Sequence, residues 1–197
     1  MTKRTIIYFL FAFSWLSGIA VATSAQETIT GSVFQYGSGR YTGVRTSFFT
    51  LRLKSLTPDE QAQNYLAVLQ EDGQEALLRS IRDQDDGSFS LSGDLTRTVN
   101  VVREVNTGGQ RKIYAVFERW ELFAEVRGGY RSLDYPLGYI ELTIDQATGA
   151  GSGKYFAAAK IRWKKDKKGV GSHVEIEDYA TIPAKLVNVK IEGFKTL

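Results

Sequence analysis

Hydrophobic and polar residues alternate with a period of two along most of the chain. Phe49, Leu51 and Leu53 alternate with polar neighbours, and similar segments recur between residues 88 and 191. This is the period of a half-buried β-strand, because successive side chains of a strand point to opposite faces. Turn residues separate the segments; Asn106-Thr107-Gly108-Gly109, for example, has the composition of a hairpin turn. We therefore predict a mainly β (α+β) fold of about eight to ten antiparallel strands, arranged as a barrel or a sandwich.

One segment departs from this period. Thr57-Pro58-Asp59-Glu60 matches a helix capping box with proline at the first helical position, and apolar residues follow at helical spacing until Gly73. A second short helix is predicted from about Gln74 to Arg82. We expect this two-helix insert, near residues 57–82, to be the helical part of the fold. All later segments, including Trp120 to Val126, are predicted to be strands or turns.

Two of the predicted strands carry apolar residues at alternate positions. Val99, Val101 and Val105 alternate with polar residues in the first. In the second, the odd-numbered residues from Tyr155 to Trp163 are all apolar or aromatic. Because successive side chains of a strand point to opposite faces, we expect the residues of each set to share one face.

The first 25 residues have the three-part layout of a secretory signal peptide. Lys3 and Arg4 are followed by an uncharged apolar stretch over residues 6–22, and small residues lead to Ala25. An uncleaved membrane anchor is the alternative, since the stretch approaches the length of a membrane span. The absence of cysteine excludes a lipid-anchored lipoprotein. We expect cleavage near Ala25 and one β-rich domain over residues 26–197, exported to the periplasm or secreted.

Composition narrows the function classes. Removing residues 1–25 takes away two basic residues and no acidic residue, so the formal charge falls from +3 to +1. A nearly neutral domain offers no general attraction for nucleic acid, and we expect no nucleic-acid partner. A chain without cysteine has neither a disulfide framework nor thiol chemistry. Stability then has to come from packing.

Four glutamates are the weak catalytic candidates. Glu118, Glu121, Glu125 and Glu141 lie on segments predicted to be neighbouring strands, and two carboxylates across a cleft can hydrolyse a glycosidic bond. Glu141 is the best single candidate, because Ile140 and Leu142 flank it. The alternative is that all four are solvated residues on exposed strand faces. Catalysis therefore stays a secondary hypothesis, with no catalytic residue assigned.

No metal site or cofactor is predicted. Asp83, Asp85 and Asp86 precede Gly87, but glycine falls at the fifth position of this acidic turn rather than at the sixth that an EF-hand requires. His173 is the single histidine, which excludes a site built on several histidines. His173 also lies at a predicted strand start, where a structural role is the simpler interpretation.

A basic cluster around Trp163 is the most distinctive surface feature of the sequence. It comprises Lys160, Arg162, Lys164, Lys165, Lys167 and Lys168. Such a cluster can contact anionic lipid headgroups, lipopolysaccharide or an acidic protein, and tryptophan among cations suits an interface. The alternative is a solvated hairpin tip whose lysines keep the sheet edge from pairing. These seven residues, including Trp163, are the predicted binding candidates.

Several motifs resemble those of a known family. They are Gly73-Gln74-Glu75-Ala76-Leu77-Leu78, Asp134-Tyr135-Pro136, Tyr139-Ile140-Glu141-Leu142-Thr143-Ile144-Asp145, Ala158-Ala159-Lys160-Ile161, Glu175-Ile176-Glu177-Asp178-Tyr179 and Pro183-Ala184-Lys185-Leu186. With them the chain resembles an uncharacterised exported bacterial protein family of the acidobacterial type, over most of residues 26–197. The resemblance implies export and a single domain. It implies no catalytic residue, because none is established for that family.

Three functions follow from these observations. The first, which we favour, is an exported, non-enzymatic binding or interaction protein that uses a barrel mouth, a sheet edge or the basic cluster. The second is a carboxylate-dependent hydrolase. The third is a small outer-membrane β-barrel, whose strands would be apolar on the outside and polar on the inside. The identity of a ligand lies beyond the sequence pattern.

Overall fold

The computed structural model describes residues 7–8, 26–36, 43–92, 94–119, 123–165, 172–180 and 182–194. The predicted signal peptide lies outside the described residues, apart from the backbone of the two-residue strand β1.

Antiparallel strands account for most of this part of the chain, as the alternation predicts. The strands are β1 (Ile7–Tyr8), β2 (Glu27–Tyr36), β3 (Val44–Leu53), β4 (Gly87–Leu91), β5 (Arg97–Val99), β6 (Val101–Thr107), β7 (Gln110–Glu118), β8 (Leu137–Asp145), β9 (Ala150–Lys165), β10 (Ser172–Asp178) and β11 (Ala184–Ile191). The helices are α1 (Asp59–Glu71), α2 (Gln74–Ile81), α3 (Phe123–Gly128) and a 3-10 turn at Arg131–Asp134.

Nine of these strands form a nearly closed antiparallel barrel. Their order around the sheet is β5-β4-β3-β2-β11-β9-β8-β7-β6. β5 pairs with β4, and β6, which follows β5 almost directly in the chain, pairs with β7. The segment 97–107 therefore joins the two ends of the sheet. β10 lies off this path, where it extends the sheet beside the second half of β9 and also pairs with β1. The mainly β prediction is confirmed, and the arrangement is a barrel rather than a sandwich.

The interior of the barrel is filled by apolar side chains. One residue in two along each strand points inward, as the alternation requires. Phe89 lies at the centre of the aromatic residues, with ring centroids 6.2 Å from Phe49, 5.6 Å from Phe117 and 5.1 Å from Tyr155. The inward cluster is Ile29, Val33, Phe49, Leu51, Leu53, Phe89, Val99, Val102, Ile113, Ala115, Phe117, Ile140, Leu142, Ile144, Tyr155, Ala184, Leu186 and Val189.

A second apolar layer covers one outer face of the barrel. α1 and α2 contribute Tyr65, Leu69, Leu77 and Ile81, which pack on outward residues of the strands from β7 to β9. The predicted two-helix insert is therefore confirmed, with bounds within two residues of those expected. The strand residues of this layer are Tyr114, Leu137, Tyr139, Phe156, Ala159 and Ile161.

A charged group closes one end of the barrel. Arg111 of β7 continues the inward alternation of Ile113, and it pairs with Glu27 of β2 at 2.6 Å and with Glu104 of β6 at 2.7 Å. All three side chains are mostly buried. Burial alone lowers the pKa of Arg111, but its hydrogen bonds to both glutamates outweigh this effect and raise the pKa above its usual value. We call this the closed end.

The prediction that Val99, Val101 and Val105 share one face of a strand is wrong. Val99 and Val102 point into the barrel, whereas Val101 packs on the outer layer. The break is at buried Asn100, whose amide nitrogen donates to the carbonyls of Arg82 and Gln84 at 3.2 and 3.0 Å. This extra residue shifts the alternation by one and lets the segment pass from β4 to β7.

The prediction that the odd-numbered residues from 155 to 163 share one face is also wrong. Tyr155 lies inside the barrel, while Phe156, Ala159 and Ile161 lie in the outer layer. The pairing of β8 with β9 shifts register between Leu137 and Tyr139, which is the mark of a β-bulge. The first half of β9 thus belongs to the barrel and the second half to the extension with β10.

Two local predictions, one of a helix cap and one of a strand, are corrected. The capping box at Thr57 does not form, because α1 begins at Asp59 and the Thr57 hydroxyl has other partners. It donates to the Asp86 carboxylate and accepts the Val102 amide at 2.9 Å. Part of the strand predicted over residues 120–126 is helical, since α3 spans Phe123–Gly128 and residues 120–122 lie outside the described residues. At Thr57, tertiary contacts outweigh the local capping propensity.

Candidate functional site

The end of the barrel opposite Arg111 holds a cavity of about 420 Å3, which we call the mouth. The C-terminal ends of β2 and β10 and the N-terminal ends of β3 and β11 meet there, because antiparallel neighbours reverse direction at the same end of the sheet. The residues that line the mouth are Gln35, Tyr36, Gly43, Val44, Arg45, Tyr155, Ala157, Asp178, Ala180, Ile182 and Ala184.

Aromatic residues form the floor of the mouth. Tyr155 lines the cavity from β9 and is 5 % exposed. Its ring lies 5.1 Å from that of Phe89 and is stacked on that of Phe117 at 6.5 Å. Burial raises the pKa of the Tyr155 hydroxyl to about 12, so the side chain is neutral at physiological pH. The floor is therefore a rigid aromatic surface that carries a hydroxyl group.

Asp178 is the acidic residue of the mouth. It ends β10, and its Oδ1 accepts the Ala180 amide at 3.1 Å. Burial raises the pKa of its carboxyl from the ordinary 3.8 to about 6, although hydrogen bonds from the Ala180 and Tyr179 amides oppose the rise. A group with this pKa changes its charge near neutral pH. Carboxyls perturbed in this way are enriched at functional sites.

Other charged residues line the mouth or act on its floor, and none of those that the structure describes forms an ion pair with Asp178. Arg45 of β3 lines the cavity and is exposed. Arg97 and Arg119 act electrostatically on Tyr155, as does Asp94. Arg119 is held by the carbonyls of Tyr135 and Ser132 at 2.6 and 2.8 Å and by the Glu125 carboxylate at 3.0 Å. Its charge is thus committed to the loop that follows β7.

Large hydrophobic side chains form the rim of the mouth. Tyr36, Val44 and Ile182 are 41 %, 55 % and 52 % exposed, although each lines the cavity. Apolar side chains of this size normally turn away from water, and an exposed group of them around a concave site is typical of a binding surface. The mouth therefore combines an apolar rim, an aromatic floor and one partly buried carboxylate.

A smaller cavity of about 150 Å3 lies beneath the helices. It separates Tyr65 and Leu69 of α1 from Ile161 of β9 and Ile176 of β10, and its walls are almost wholly apolar. Ligand pockets usually exceed about 300 Å3 and carry a few convergent polar groups. This cavity is therefore better explained as imperfect packing between the helices and the barrel.

The structure does not bring the candidate glutamates together. Glu118 pairs with Arg82 of α2 at 2.7 Å, and Glu125 pairs with Arg119. Glu141 faces Tyr114 of β7 in register, four residues from Glu118 along the strand. This spacing puts the backbones of Glu118 and Glu141 about 13 Å apart, and both oxygens of the Glu118 carboxylate are bound by Arg82. Glu121 lies outside the described residues.

Within the basic cluster, two cations are paired with carboxylates of the neighbouring strand. Lys164 lies 2.7 Å from Glu175 of β10, and Arg162 forms an ion pair with Glu177. Glu175 is 5 % exposed, so its charge is covered by the lysine. These pairs offset much of the positive charge that the sequence places on β9.

The rest of the basic cluster is divided between two faces. Lys160 places its Nζ 5.8 Å from the ring centroid of Tyr135, on the face of Arg162. Trp163 lies on the other face, where it packs with Ile161 against the outer apolar layer. Trp163 therefore lies on the face of β9 opposite Lys160 and Arg162. The side chain of Lys165 and the whole of Lys167 and Lys168 lie outside the described residues.

The acidic turn after α2 has a structural role. Buried Asp86 accepts hydrogen bonds from the hydroxyls of Ser55, at 2.9 Å, and Thr57, and Asp85 pairs with Lys54. The turn thereby fastens the segment before α1 to the start of β4. Among the described residues, no group of three histidine or acidic side chains is arranged to hold a metal ion. His173 is the second residue of β10 and pairs with Lys164 of β9, close to the predicted strand start.

The mouth residues were not among the candidates predicted from the sequence. Asp178 stands at the end of an alternating strand, where an acidic residue is most simply explained by exposure to solvent. Tyr155 was assigned only to an apolar face. One usable indication is the change from apolar to charged residues at inward positions toward the strand end, as in Arg45, Ser47 and Phe49 of β3.

Comparisons with models of known protein families, with curated proteins and with solved structures find no match to this chain. The resemblance to exported acidobacterial proteins therefore stays a prediction, and the case for a function rests on the geometry of the mouth. No helix in the described part of the chain is long and apolar enough to span a membrane.

Proposed function

We propose that the protein is an exported, non-enzymatic binding protein that takes a small organic ligand in the mouth of its barrel. The observation that carries this proposal is a cavity of about 420 Å3 at one end of a barrel whose interior holds a cluster of buried apolar side chains. This volume lies in the range of small-molecule sites, and barrel mouths are among their common positions. The aromatic floor limits the depth of the ligand, so we expect a compact molecule.

The polar groups of the mouth also favour binding over catalysis. Tyr155 and Asp178 can each form a hydrogen bond with a ligand, while the rim offers apolar contact area. The described glutamates lie apart, two of them with their own arginine partners. The basic cluster is a weaker alternative, because carboxylates of β10 neutralise part of it. Export of the domain stays a prediction from residues 1–25.

A cavity-filling variant tests the proposed site. Ala157 is exposed and lines the mouth, so Ala157→Trp places an indole in the ligand's space without disturbing the core. Ala147→Trp, in the exposed turn between β8 and β9, is the matched control. The assay is a two-dimensional amide NMR titration with a fragment library of small organic acids, alcohols and amines, recorded on residues 26–197.

We expect a subset of fragments to shift the amides of Tyr155, Ala180 and Ala184. The same fragments should no longer do so in Ala157→Trp, but should still do so in Ala147→Trp. The proposal is wrong if no fragment shifts these amides in the wild-type chain. It is equally wrong if Ala157→Trp binds the fragments as well as the wild-type chain does.

A further inference from the structure

We propose that the mouth selects a small organic amine, whose protonated nitrogen pairs with the Asp178 carboxylate while its carbon skeleton lies against Tyr155. The ligand class rests on the proposed function, because it presumes that the mouth is occupied. Asp178 and Tyr155 both line the cavity, one from the end of β10 and the other from β9. A charged head and a flat floor are thus both within reach of one compact molecule.

The partly buried carboxylate of Asp178 is the first feature that favours an amine. Its known partners are backbone amides, with Ala180 donating at 3.1 Å. Among the described residues, no lysine or arginine forms an ion pair with Asp178. Placing a carboxylate in a partly buried site without a cation is unfavourable, and the penalty falls when a positive group enters. A protonated amine supplies this missing charge.

The elements around Asp178 carry several other charged residues. Lys160 of β9 is next to the residue that pairs with Asp178, but its Nζ lies over the Tyr135 ring. Arg119 is held by two carbonyls and by Glu125, and Arg97 and Asp94 act on Tyr155. None of these groups contributes to the pKa shift of Asp178, which has burial as its main cause. Lys185 of β11 places its Nζ 5.9 Å from the ring centroid of Tyr36, on the rim. Among the described residues, none of these cations forms an ion pair with Asp178.

Arg45 is the group that favours the opposite ligand. It lines the cavity from β3 and attracts anions, but it is exposed. Water and salt screen an exposed charge much more strongly than a partly buried one. We therefore expect Asp178, rather than Arg45, to decide the sign of the preferred ligand. Because Arg45 and Asp178 favour ligands of opposite charge, a comparison of amines with acids tests which of the two residues decides.

Three probes of the same size separate charge from shape. Benzylamine, benzyl alcohol and benzoate carry a positive, a neutral and a negative group on one aromatic ring. Each is titrated into residues 26–197 and followed through the amides of Tyr155 and Ala180. We expect benzylamine to bind about 10-fold or more tightly than benzoate at pH 7.5, as is usual for a charge-assisted hydrogen bond.

Two perturbations should remove this preference. In Asp178→Asn, the three probes should bind with similar affinity, whereas Glu192→Gln, at an exposed position just after β11 at the closed end, should keep the wild-type order. In the wild-type chain, the affinity for benzylamine should fall as the pH drops below about 6, because Asp178 is then protonated. The wild-type titration needs no variant, so it tests the proposal even if Asp178→Asn folds poorly.

The outcomes distinguish this inference from the proposed function. If benzoate binds as tightly as benzylamine, or if Asp178→Asn keeps the wild-type order, the amine class is wrong while the mouth remains a site. The same holds if only fragments other than amines shift the mouth amides. If no fragment of any class shifts them, both the inference and the proposed function are wrong.

Discussion

Asp178 should reduce the stability of the folded protein at neutral pH. Burial raises the pKa of its carboxyl in the fold to about 6, compared with 3.8 for an ordinary aspartate. The folded state thus holds the proton more tightly than the unfolded state. The stability that the protonated group contributes is complete below pH 3.8 and is lost as the pH rises through about 6. At pH 8 the charged carboxylate is an unfavourable feature of the fold.

The size of this effect follows from the pKa difference. One pKa unit corresponds to about 1.4 kcal/mol, so the full difference gives about 3 kcal/mol. Asp178 is only half-buried, and water reduces the penalty on its charged form. We therefore expect Asp178→Asn to raise the free energy of unfolding by about 1–2 kcal/mol at pH 8. Asparagine keeps an oxygen that can accept the Ala180 amide, so this hydrogen bond need not be lost.

The assay is urea unfolding of the wild-type chain and Asp178→Asn across the range from about pH 4 to pH 8. The difference between the two should be close to zero at the acidic end and should grow through pH 6. Asp94→Asn, at an exposed position, should stay within about 0.5 kcal/mol of wild type throughout. A loss of stability in Asp178→Asn at pH 8 would refute the reasoning, because the carboxylate would then be needed by the fold itself. A gain would indicate a residue retained for binding despite its cost.

Two further predictions concern the polar contacts that hold the barrel. Thr57→Ala should lower the free energy of unfolding in urea by about 1–3 kcal/mol, because it leaves Asp86 and a buried amide without their hydroxyl partner. Thr57→Ser should recover most of this loss, and equal losses in both variants would contradict the explanation. Arg111→Leu should cost about 2 kcal/mol or more, since it leaves two mostly buried glutamates facing each other. Exposed Arg52→Leu is its control, and a similar small effect in both would show that the closed end contributes little.

The sequence predicted those features of the fold that depend only on residues close together in the chain. Alternation at Phe49, Leu51 and Leu53 requires a half-buried strand whatever the neighbours are. The turn at Gly108-Gly109 adopts positive φ angles of 59° and 78°, as expected for a tight hairpin. The helices around Gly73 were predicted in the same way, because spacing and a glycine stop act within a few residues.

The register shifts could not be predicted from the spacing of neighbouring residues. Asn100 resembles any polar residue of an alternating strand, but its side chain bonds to carbonyls after α2 and displaces the face by one residue. Thr57 has the right neighbours for a helix cap and is nevertheless bound by Asp86, 29 residues away. In both cases a distant partner outcompetes the local one, and sequence spacing does not show that partner.

The candidate site belongs almost wholly to the tertiary structure. Sequence clustering drew attention to the cations of β9, but Glu175 and Glu177 of the next strand pair with two of them. Asp178 and Tyr155 are 23 positions apart in the chain and meet because the end of β10 and the start of β11 both pair with the middle of β9. Alternation states which side chains point inward, since this depends on the geometry of a single strand. Closure of the sheet decides which inward positions are packed, which are open to a ligand, and which charge is left without a partner.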